Sequence, residues 1–223
     1  MILKINGYII GNDMKELYDW FGIQATCPSD VLSALETMPK GDRLQVKINS
    51  GGGDVMAGQE IYAALRSRSD VDIEVESLAA SAASVIAMAG PSTISPIGMV
   101  MIHNVSVAGA AGNKHDMKKQ ADVLATYDET LANAYAEKTG MERDEVLKLM
   151  DKETWLTAER AVELGFINSI TEAGHSMSNA IMGDPITDSM RTQFMEHKAA
   201  EARKASLRNE ILEGLDQFGT KEV

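Results

Sequence analysis

The sequence has a single cysteine, no long apolar run and no secretory leader pattern, and each absence excludes a class of protein. Cys27 cannot form an internal disulfide, so a reducing compartment suits the chain. No apolar run approaches the ~20 residues that a membrane-spanning helix needs. The first residues lack the charged head and apolar stretch of a signal peptide. We therefore expect a cytoplasmic protein that does not enter a membrane.

Positive charge is also scarce. The 223 residues include 21 Lys and Arg against 33 Asp and Glu, which gives a net charge of −12 at pH 7. A nucleic-acid surface needs clustered Lys and Arg to neutralise phosphates. Nucleic acid is therefore not an expected partner, and the sequence predicts neither a metal nor an organic cofactor.

Strand and helix patterns alternate through the first 170 residues, which predicts an α/β fold with layered strands and helices. Residues 12–28 are predicted to be irregular. The predicted strands are 1–10, 44–48, 71–76, 93–97, 99–102, 153–156 and 166–170. The predicted helices are 28–38, 55–68, 81–90, 113–138, 142–150 and 158–164, the last capped by Thr157.

The composition changes near residue 172. Residues 174–179 have the small, polar composition of a linker, and residues 187–218 can form one long helix. Apolar residues are too thinly spread there to build a separate core. We predict a body at 1–172 and a linker with a helical arm at 173–223 that binds a partner. The apolar stripe of this arm consists of Leu207, Ile211, Leu215 and Phe218.

Ser81 stands where a strand pattern changes into a helix pattern through a run of small residues. Such a turn projects a side chain at a helix N-terminus, where free N–H groups can receive negative charge. Ser81 is therefore a candidate nucleophile. Ser77 precedes the turn, and Ser84 lies almost one turn inside the helix, where it fills a small gap in the core.

A second turn between a strand and a helix contains Gly51, Gly52 and Gly53. Glycines let backbone N–H groups approach a ligand closely. The spacing matches neither the dinucleotide fingerprint nor the phosphate-binding loop of nucleotide hydrolases. A plain tight turn is the alternative.

Together with His103, these segments resemble the proteolytic subunit of the Clp protease, a serine peptidase of the ClpP/crotonase superfamily. The matching segments are Ile48-Asn-Ser-Gly-Gly-Gly53, Ala79-Ala-Ser81-Ala, Val100-Met-Ile-His103 and Trp155-Leu-Thr-Ala-Glu-Arg-Ala-Val-Glu-Leu-Gly-Phe-Ile167. The resemblance spans residues 1–172 in order and spacing. It implies a layered β-β-α superhelical fold with a protruding handle region after His103, followed by the C-terminal helical extension.

The resemblance implies a catalytic triad. Ser81 corresponds to the nucleophile and His103 to the general base, while the N–H groups of Gly53 and Ala82 correspond to the oxyanion donors. Gly52 shapes the turn that holds them. This set suits the chemistry, because a serine hydroxyl needs an adjacent base and the developing oxyanion needs fixed donors.

The third triad member departs from the family pattern. Clp subunits usually have Asp at the position that corresponds to Glu153, and Asp151 is the alternative acid in this chain. The glycine turn departs as well, since Gly51 stands where Clp subunits commonly have Pro. Within the family, the helical extension and the Glu-Thr-Trp-Leu-Thr-Ala segment look most like the head-maturation (prohead) proteases of tailed phages and prophages.

The resemblance implies an ATP-independent peptide-bond hydrolase in a homo-oligomeric ring, a heptamer or a double heptamer. Its expected substrate is a capsid or scaffold precursor, inside the host cytoplasm or procapsid. The alternatives are a housekeeping subunit that works with an AAA+ unfoldase, a crotonase-like acyl-CoA hydratase or isomerase, and an inactive scaffold protein. A Ser–Lys dyad with Lys114 or Lys118 as base is a further possibility.

Overall fold

The computed structural model describes residues 1–171 and 186–219, with side chains to residue 208. The chain divides into two compact units, 1–183 and 184–223. The predicted division at residue 172 and the linker at 174–179 lie outside the described residues. Within these ranges, no helix combines the length and apolarity needed to cross a membrane.

The first unit is built on a mainly parallel sheet, which confirms the predicted mixed α/β class. Its strands are β1 (Ile2–Ile9), β2 (Ala25–Thr26), β3 (Leu44–Gly53), β4 (Val71–Ala80), β5 (Ser92–Ile94), β6 (Met99–Ile102), β7 (Thr154–Thr157) and β8 (Ser169–Ile170). The sheet order is β2-β1-β3-β4-β5-β8, and β6 pairs with β4 and β7. The β6–β7 pair is antiparallel, whereas the other pairs are parallel.

Helices connect these strands. They are α1 (Lys15–Trp20), α2 (Pro28–Thr37), α3 (Val55–Arg66), α4 (Ala82–Ala87), α5 (Lys114–Thr139), α6 (Arg143–Asp151) and α7 (Ala158–Glu163). Side-chain hydrogen bonds fix the starts of four of them. At α2, the Asp30 carboxylate accepts from the Cys27 N–H. The Asp54 carboxylate accepts a hydrogen bond from the Ala57 N–H at the start of α3, Asn113 caps α5, and Thr157 caps α7 as predicted.

One continuous core joins sheet and helices. Ile48, Ile61, Val75 and Ile86, from β3, α3, β4 and α4, are all fully buried. Burial of such a side chain contributes about 1.5–3 kcal/mol relative to exposure. Gly58 allows α3 and α4 to approach closely, since a Cβ there would lie 2.9 Å from that of Ala82. The start of α4 is therefore held rigidly against the body.

Several sequence predictions about secondary structure were wrong. Strand β4 runs to Ala80 instead of ending at residue 76, β5 ends at Ile94 instead of residue 97, and the last strand covers only Ser169–Ile170 of the predicted 166–170. Residues 12–28 were predicted to be irregular but contain a 3₁₀ turn (Asn12–Met14), helix α1 and strand β2. The sequence did not predict these elements because segments this short show no periodicity. Strand β3 runs on to Gly53 instead of ending at Ile48. Its glycines have no strand propensity, but they pair with β1 through the register Tyr8↔Gly52 and Ile9↔Gly53.

The second unit contains helix α8 (Asp188–Gly219). Its described side chains are mostly exposed, and Met195 and Leu207 are the large apolar residues among them that face solvent. The predicted stripe residues Ile211, Leu215 and Phe218 lie outside the described side chains.

Candidate active site

Three neighbouring parallel strands end at the same edge of the sheet. Ala79 of β4 stands opposite Ser50 of β3, and Ala80 stands opposite Met101 of β6. The residues that follow these positions therefore meet at the carboxyl edge, where parallel sheets commonly bind ligands. This register brings the glycine turn, Ser81 and His103 together, although they are distant in sequence.

Ser81 lies in a strained turn between β4 and α4. Its φ is 54° and its ψ is −127°, a conformation that non-glycine residues rarely adopt. Its N–H donates to the Met101 carbonyl across a distance of 3.0 Å, which ties the turn to β6. Strain of this kind costs of order 1–3 kcal/mol and collects at functional sites. The backbone of Ser81 therefore matches the nucleophile turn that the sequence predicted.

The Ser81 hydroxyl contacts the predicted base directly. Its Oγ lies 2.8 Å from Nε2 of His103, within hydrogen-bond reach. The structure thus joins the two side chains that the sequence analysis paired, although they stand 22 positions apart.

The glycine turn packs against Ser81. A Cβ on Gly52 would lie 2.6 Å from the Ala80 carbonyl oxygen and 2.7 Å from the Ser81 Cβ, and the φ of Gly52 is 94°. A Cβ on Gly53 would lie 2.1 Å from the Ile9 carbonyl oxygen. No side chain fits at either position, so Gly52 is required for the approach to the turn at Ser81 and Gly53 for the approach to β1.

Ser50 holds the glycine turn in place through hydrogen bonds of its side chain, a role that the sequence analysis missed. Its buried hydroxyl donates to the Gly7 carbonyl across 2.6 Å and accepts from the Gly52 N–H across 3.0 Å. The bulges between Ile48 and Ser50 in β3 and between Asn6 and Tyr8 in β1 place it there. A serine directly before three glycines is the only sequence signal for this role.

Ser81 and His103 line a small cleft of about 70 Å³. The lining residues are Gly53, Val55, Ser81, Ala82, His103, Asn104, Val105, Ser106, Leu131 and Tyr135. The cleft thus contains the predicted nucleophile, the base and both residues whose N–H groups are the predicted oxyanion donors. The N–H of Ala82 is the first of α4, and such N–H groups have no partner within the helix.

The predicted acid does not contact the histidine. Glu153 is exposed, follows the end of α6 with a φ of 48°, and its Oε1 accepts a hydrogen bond from the Trp155 indole across 3.2 Å. Asp151 is also exposed and accepts from the Asn104 amide across 2.8 Å. In the described part of the chain, no carboxylate hydrogen-bonds to His103. The geometry therefore differs from the predicted Glu153–His103 contact.

The competing serine and lysines have other environments. Ser84 is fully buried, and its hydroxyl lies 2.7 Å from the Ser81 carbonyl oxygen and 2.8 Å from the Tyr135 hydroxyl. This is the structural position that the sequence predicted. Lys114 and Lys118 are exposed in the first turns of α5 and do not line the cleft.

Asp128 of α5 is a carboxylate that interacts electrostatically with His103. Its Oδ1 accepts a hydrogen bond from the Val105 N–H across 2.6 Å. Burial raises the pKa of Asp128, while the hydrogen bond from Val105 and the charge of His103 act in the opposite direction. The sequence analysis missed Asp128, because it stands within a long polar helix pattern. Among the described residues, no three His, Cys, Asp or Glu side chains group as metal ligands.

The parallel sheet, the strained serine turn and the Ser–His pair define a serine hydrolase of the α/β class. Comparison with known proteins makes this more specific. The Clp protease family profile matches residues 24–174, well over half of the chain. The chain therefore belongs to the Clp protease family, and it is a ClpP-like peptidase.

Curated relatives support the assignment. The ATP-dependent Clp protease proteolytic subunit 1 of Chlamydia abortus is 31% identical over 141 residues, 61% of this chain and 73% of the relative. The ATP-dependent Clp protease proteolytic subunit of Bacteroides fragilis is 33% identical over 140 residues, 61% of this chain and 67% of the relative. That of Deinococcus radiodurans is 30% identical over 145 residues, 63% and 71% respectively.

Proposed function

We propose that the chain is a serine endopeptidase in which Ser81 is the nucleophile and His103 the general base. The observation that carries this proposal is the 2.8 Å contact between Ser81 Oγ and His103 Nε2 at a strained strand-to-helix turn. A structural serine needs neither the strain nor the base. A histidine within reach can take the hydroxyl proton as the oxygen attacks.

The steps follow from this geometry. Ser81 Oγ attacks the carbonyl carbon of the scissile peptide bond, and its proton passes to His103 Nε2. The C–N bond then breaks as the same proton passes to the leaving amine, which leaves an acyl group on Ser81. Water attacks this ester, gives a proton to Nε2, and releases the carboxylic acid as the proton returns to Oγ.

The N–H groups of Gly53 and Ala82 are the proposed donors to the oxyanion. Both residues line the cleft beside Ser81. Each donor of this kind is typically worth about 100–1,000-fold in rate, provided that it is held in place before the reaction. Rigid support of this turn by Ser50 and by the start of α4 fits that requirement.

A groove next to the cleft is evidence for a polypeptide substrate. It has a volume of about 300 Å³ and shares Gly53, Val55, Val105 and Ser106 with the cleft. Its further lining includes Met56, Val107, Val123, Leu124 and Tyr127. We propose that an apolar substrate side chain next to the scissile bond occupies this groove. Residues 105–112, the proposed handle edge, pair with the substrate backbone.

The most direct test is labelling with a fluorophosphonate. Only an activated serine reacts quickly with this probe, so we expect the intact mass to show one adduct per chain. Tryptic mapping should locate this adduct on the peptide that contains Ser81. Hydrolysis of short fluorogenic peptides should stop as the adduct forms. Adduct formation on Ser84, or full peptidase activity after complete labelling elsewhere, contradicts the assignment.

Two cellular settings fit this chemistry. The relatives are named as subunits of ATP-dependent proteases, which supports a ring of subunits supplied by an AAA+ unfoldase. The second setting is head maturation in a phage, with a capsid or scaffold precursor as substrate. It is supported by helix α8, which lies beyond the family match and carries exposed Met195 and Leu207.

Stimulation by an unfoldase separates these settings. In the first, addition of an AAA+ unfoldase and ATP is expected to increase degradation of a folded, tagged protein at least about tenfold, because the unfoldase presents extended chain to a small cleft. In the second, a capsid precursor is cut without ATP. The measurement is the rate of loss of each substrate on gels, with unfoldase alone as control.

Removal of the helical arm tests its recruiting role. We expect a 1–172 fragment to fold, to assemble as the full chain does, and to cleave a small peptide with unchanged kcat/KM, since the cleft residues lie in the first unit. Cleavage of the capsid precursor should fall at least about tenfold because the local concentration of substrate is lost. An equal fall on both substrates contradicts a tether and indicates that the arm supports the body.

A further inference from the structure

Asp128 shares a face of α5 with two residues that line the catalytic cleft. Leu131 and Tyr135 follow it by three and seven positions, and both contact the cleft that contains Ser81 and His103. Asp128 is half-buried, whereas the neighbouring Glu129 and Thr130 are exposed. Unlike the exposed polar residues beside it, this carboxylate is half-buried on the helix face that carries Leu131 and Tyr135.

The contacts of Asp128 lie in the segment that carries the base. Three consecutive residues after β6 are each fixed by a different element: His103 by Ser81 before α4, Asn104 by Asp151 at the end of α6, and Val105 by Asp128. The Val105 bond is short, at 2.6 Å, and joins backbone to carboxylate. Hydrogen bonds to a charged acceptor are about twice as strong as neutral ones.

The charged groups that face Asp128 come from two other elements. His103 follows β6, and a positive charge there favours the ionised carboxylate; Asp151 at the end of α6 has the opposite effect. When Ser81 attacks a substrate, its proton converts the imidazole to an imidazolium. Asp128 then faces a new positive charge in a partly buried site, where an opposite charge stabilises it more than in water.

We propose that Asp128, rather than Glu153, is the positioning residue for His103: it holds the backbone beside the base and stabilises the imidazolium that forms during acylation. The proposal rests on the proposed function of Ser81 and His103 and deepens it. It places the negative charge of the catalytic centre on helix α5 and leaves Glu153 with its contact to Trp155.

The test compares Asp128→Asn with Asp122→Asn in the full-length protein. The introduced asparagine keeps an oxygen that can accept from Val105 and loses only the charge, while Asp122 is an exposed aspartate on the same helix. We expect Asp128→Asn to lower kcat for a fluorogenic peptide by at least about 100-fold with little change in KM, as loss of an orienting acid does. Asp122→Asn should differ from wild type by less than about twofold, as expected for one exposed charge.

A pH profile supplies a readout that a merely structural role does not change. Loss of the negative charge makes the protonated imidazole less favourable, so the acidic limb of the kcat/KM profile should move to lower pH in Asp128→Asn. Asp128→Glu keeps a carboxylate and should have a kcat between those of wild type and Asp128→Asn. Melting curves of all variants verify that the fold is retained.

The outcomes separate this proposal from the proposed function. If wild type does not react with a fluorophosphonate at Ser81, the proposed function itself fails. If wild type reacts there but Asp128→Asn has wild-type kcat, or an unshifted acidic limb, or if Glu153→Gln loses more activity than Asp128→Asn, the inference about Asp128 alone is overturned. A lower kcat together with the shifted limb supports it.

Discussion

Ser81→Ala is expected to abolish both peptide hydrolysis and fluorophosphonate labelling while leaving the fold intact. Alanine suits the run of small residues around the turn, and the loss of the hydroxyl removes the proposed nucleophile that forms the acyl intermediate. His103→Ala should have a comparable effect, because without a base the hydroxyl is a weak nucleophile. In a related chemistry, removal of either member costs about 10⁶-fold in kcat.

A double variant tests the joint role of Ser81 and His103 more sharply than either single variant. When two residues act in the same catalytic step, substituting both lowers activity little more than substituting either one. The double variant Ser81→Ala/His103→Ala is therefore expected to match the single variants in residual kcat/KM, measured with a fluorogenic peptide at high enzyme concentration. Additive losses would contradict a shared catalytic step.

Ser84→Ala is the matched control for Ser81→Ala. It removes a buried hydroxyl three residues away that contacts the Ser81 carbonyl and the Tyr135 hydroxyl. We expect a loss of about 1–3 kcal/mol in the free energy of unfolding, because the Tyr135 hydroxyl is left without this partner. Labelling at Ser81 should persist. Loss of labelling in Ser84→Ala with full labelling in Ser81→Ala would identify Ser84 as the nucleophile instead.

Gly52→Ala is expected to reduce kcat/KM by at least about 100-fold, the effect of losing an oxyanion donor. The added Cβ meets the Ala80 carbonyl oxygen and the Ser81 Cβ at 2.6 and 2.7 Å, so either the glycine turn or the nucleophile must move. We expect both movements to displace the N–H groups of Gly53 and Ala82, the proposed oxyanion donors. Kinetics with a small peptide and melting curves measure the two effects.

Gly41→Ala is a control that adds backbone strain like that of Gly52→Ala but no steric clash. Gly41 has a φ of 92°, almost equal to the 94° of Gly52, but a Cβ there would meet nothing within 4 Å. Both variants therefore incur a similar conformational cost, of order 1 kcal/mol. We expect Gly41→Ala to retain full activity with a slightly lower Tm. If the two variants lose activity equally, general destabilisation explains the effect and the oxyanion assignment loses its support.

The sequence predicted the elements that have a strong local signal. Period-two patterns gave β1 and β4, and the change to small residues gave the turn at Ser81. It did not predict α1, β2 or the extension of β3, because a short segment or a run of glycines has no period of its own. Strand β2 and the end of β3 are defined by their pairing with β1, which is a tertiary contact.

The sequence by itself determined which residues have the chemistry: a serine at a strand-to-helix turn, glycines that fit beside it, and a histidine after a buried strand. Tertiary structure decided which of them meet. The register of β4 with β6 brings Ser81 within 2.8 Å of His103, and the packing of α5 places Asp128 on Val105 while Glu153 stays exposed. An acid that acts on a histidine through space has no fixed spacing in sequence, because helix packing sets that distance.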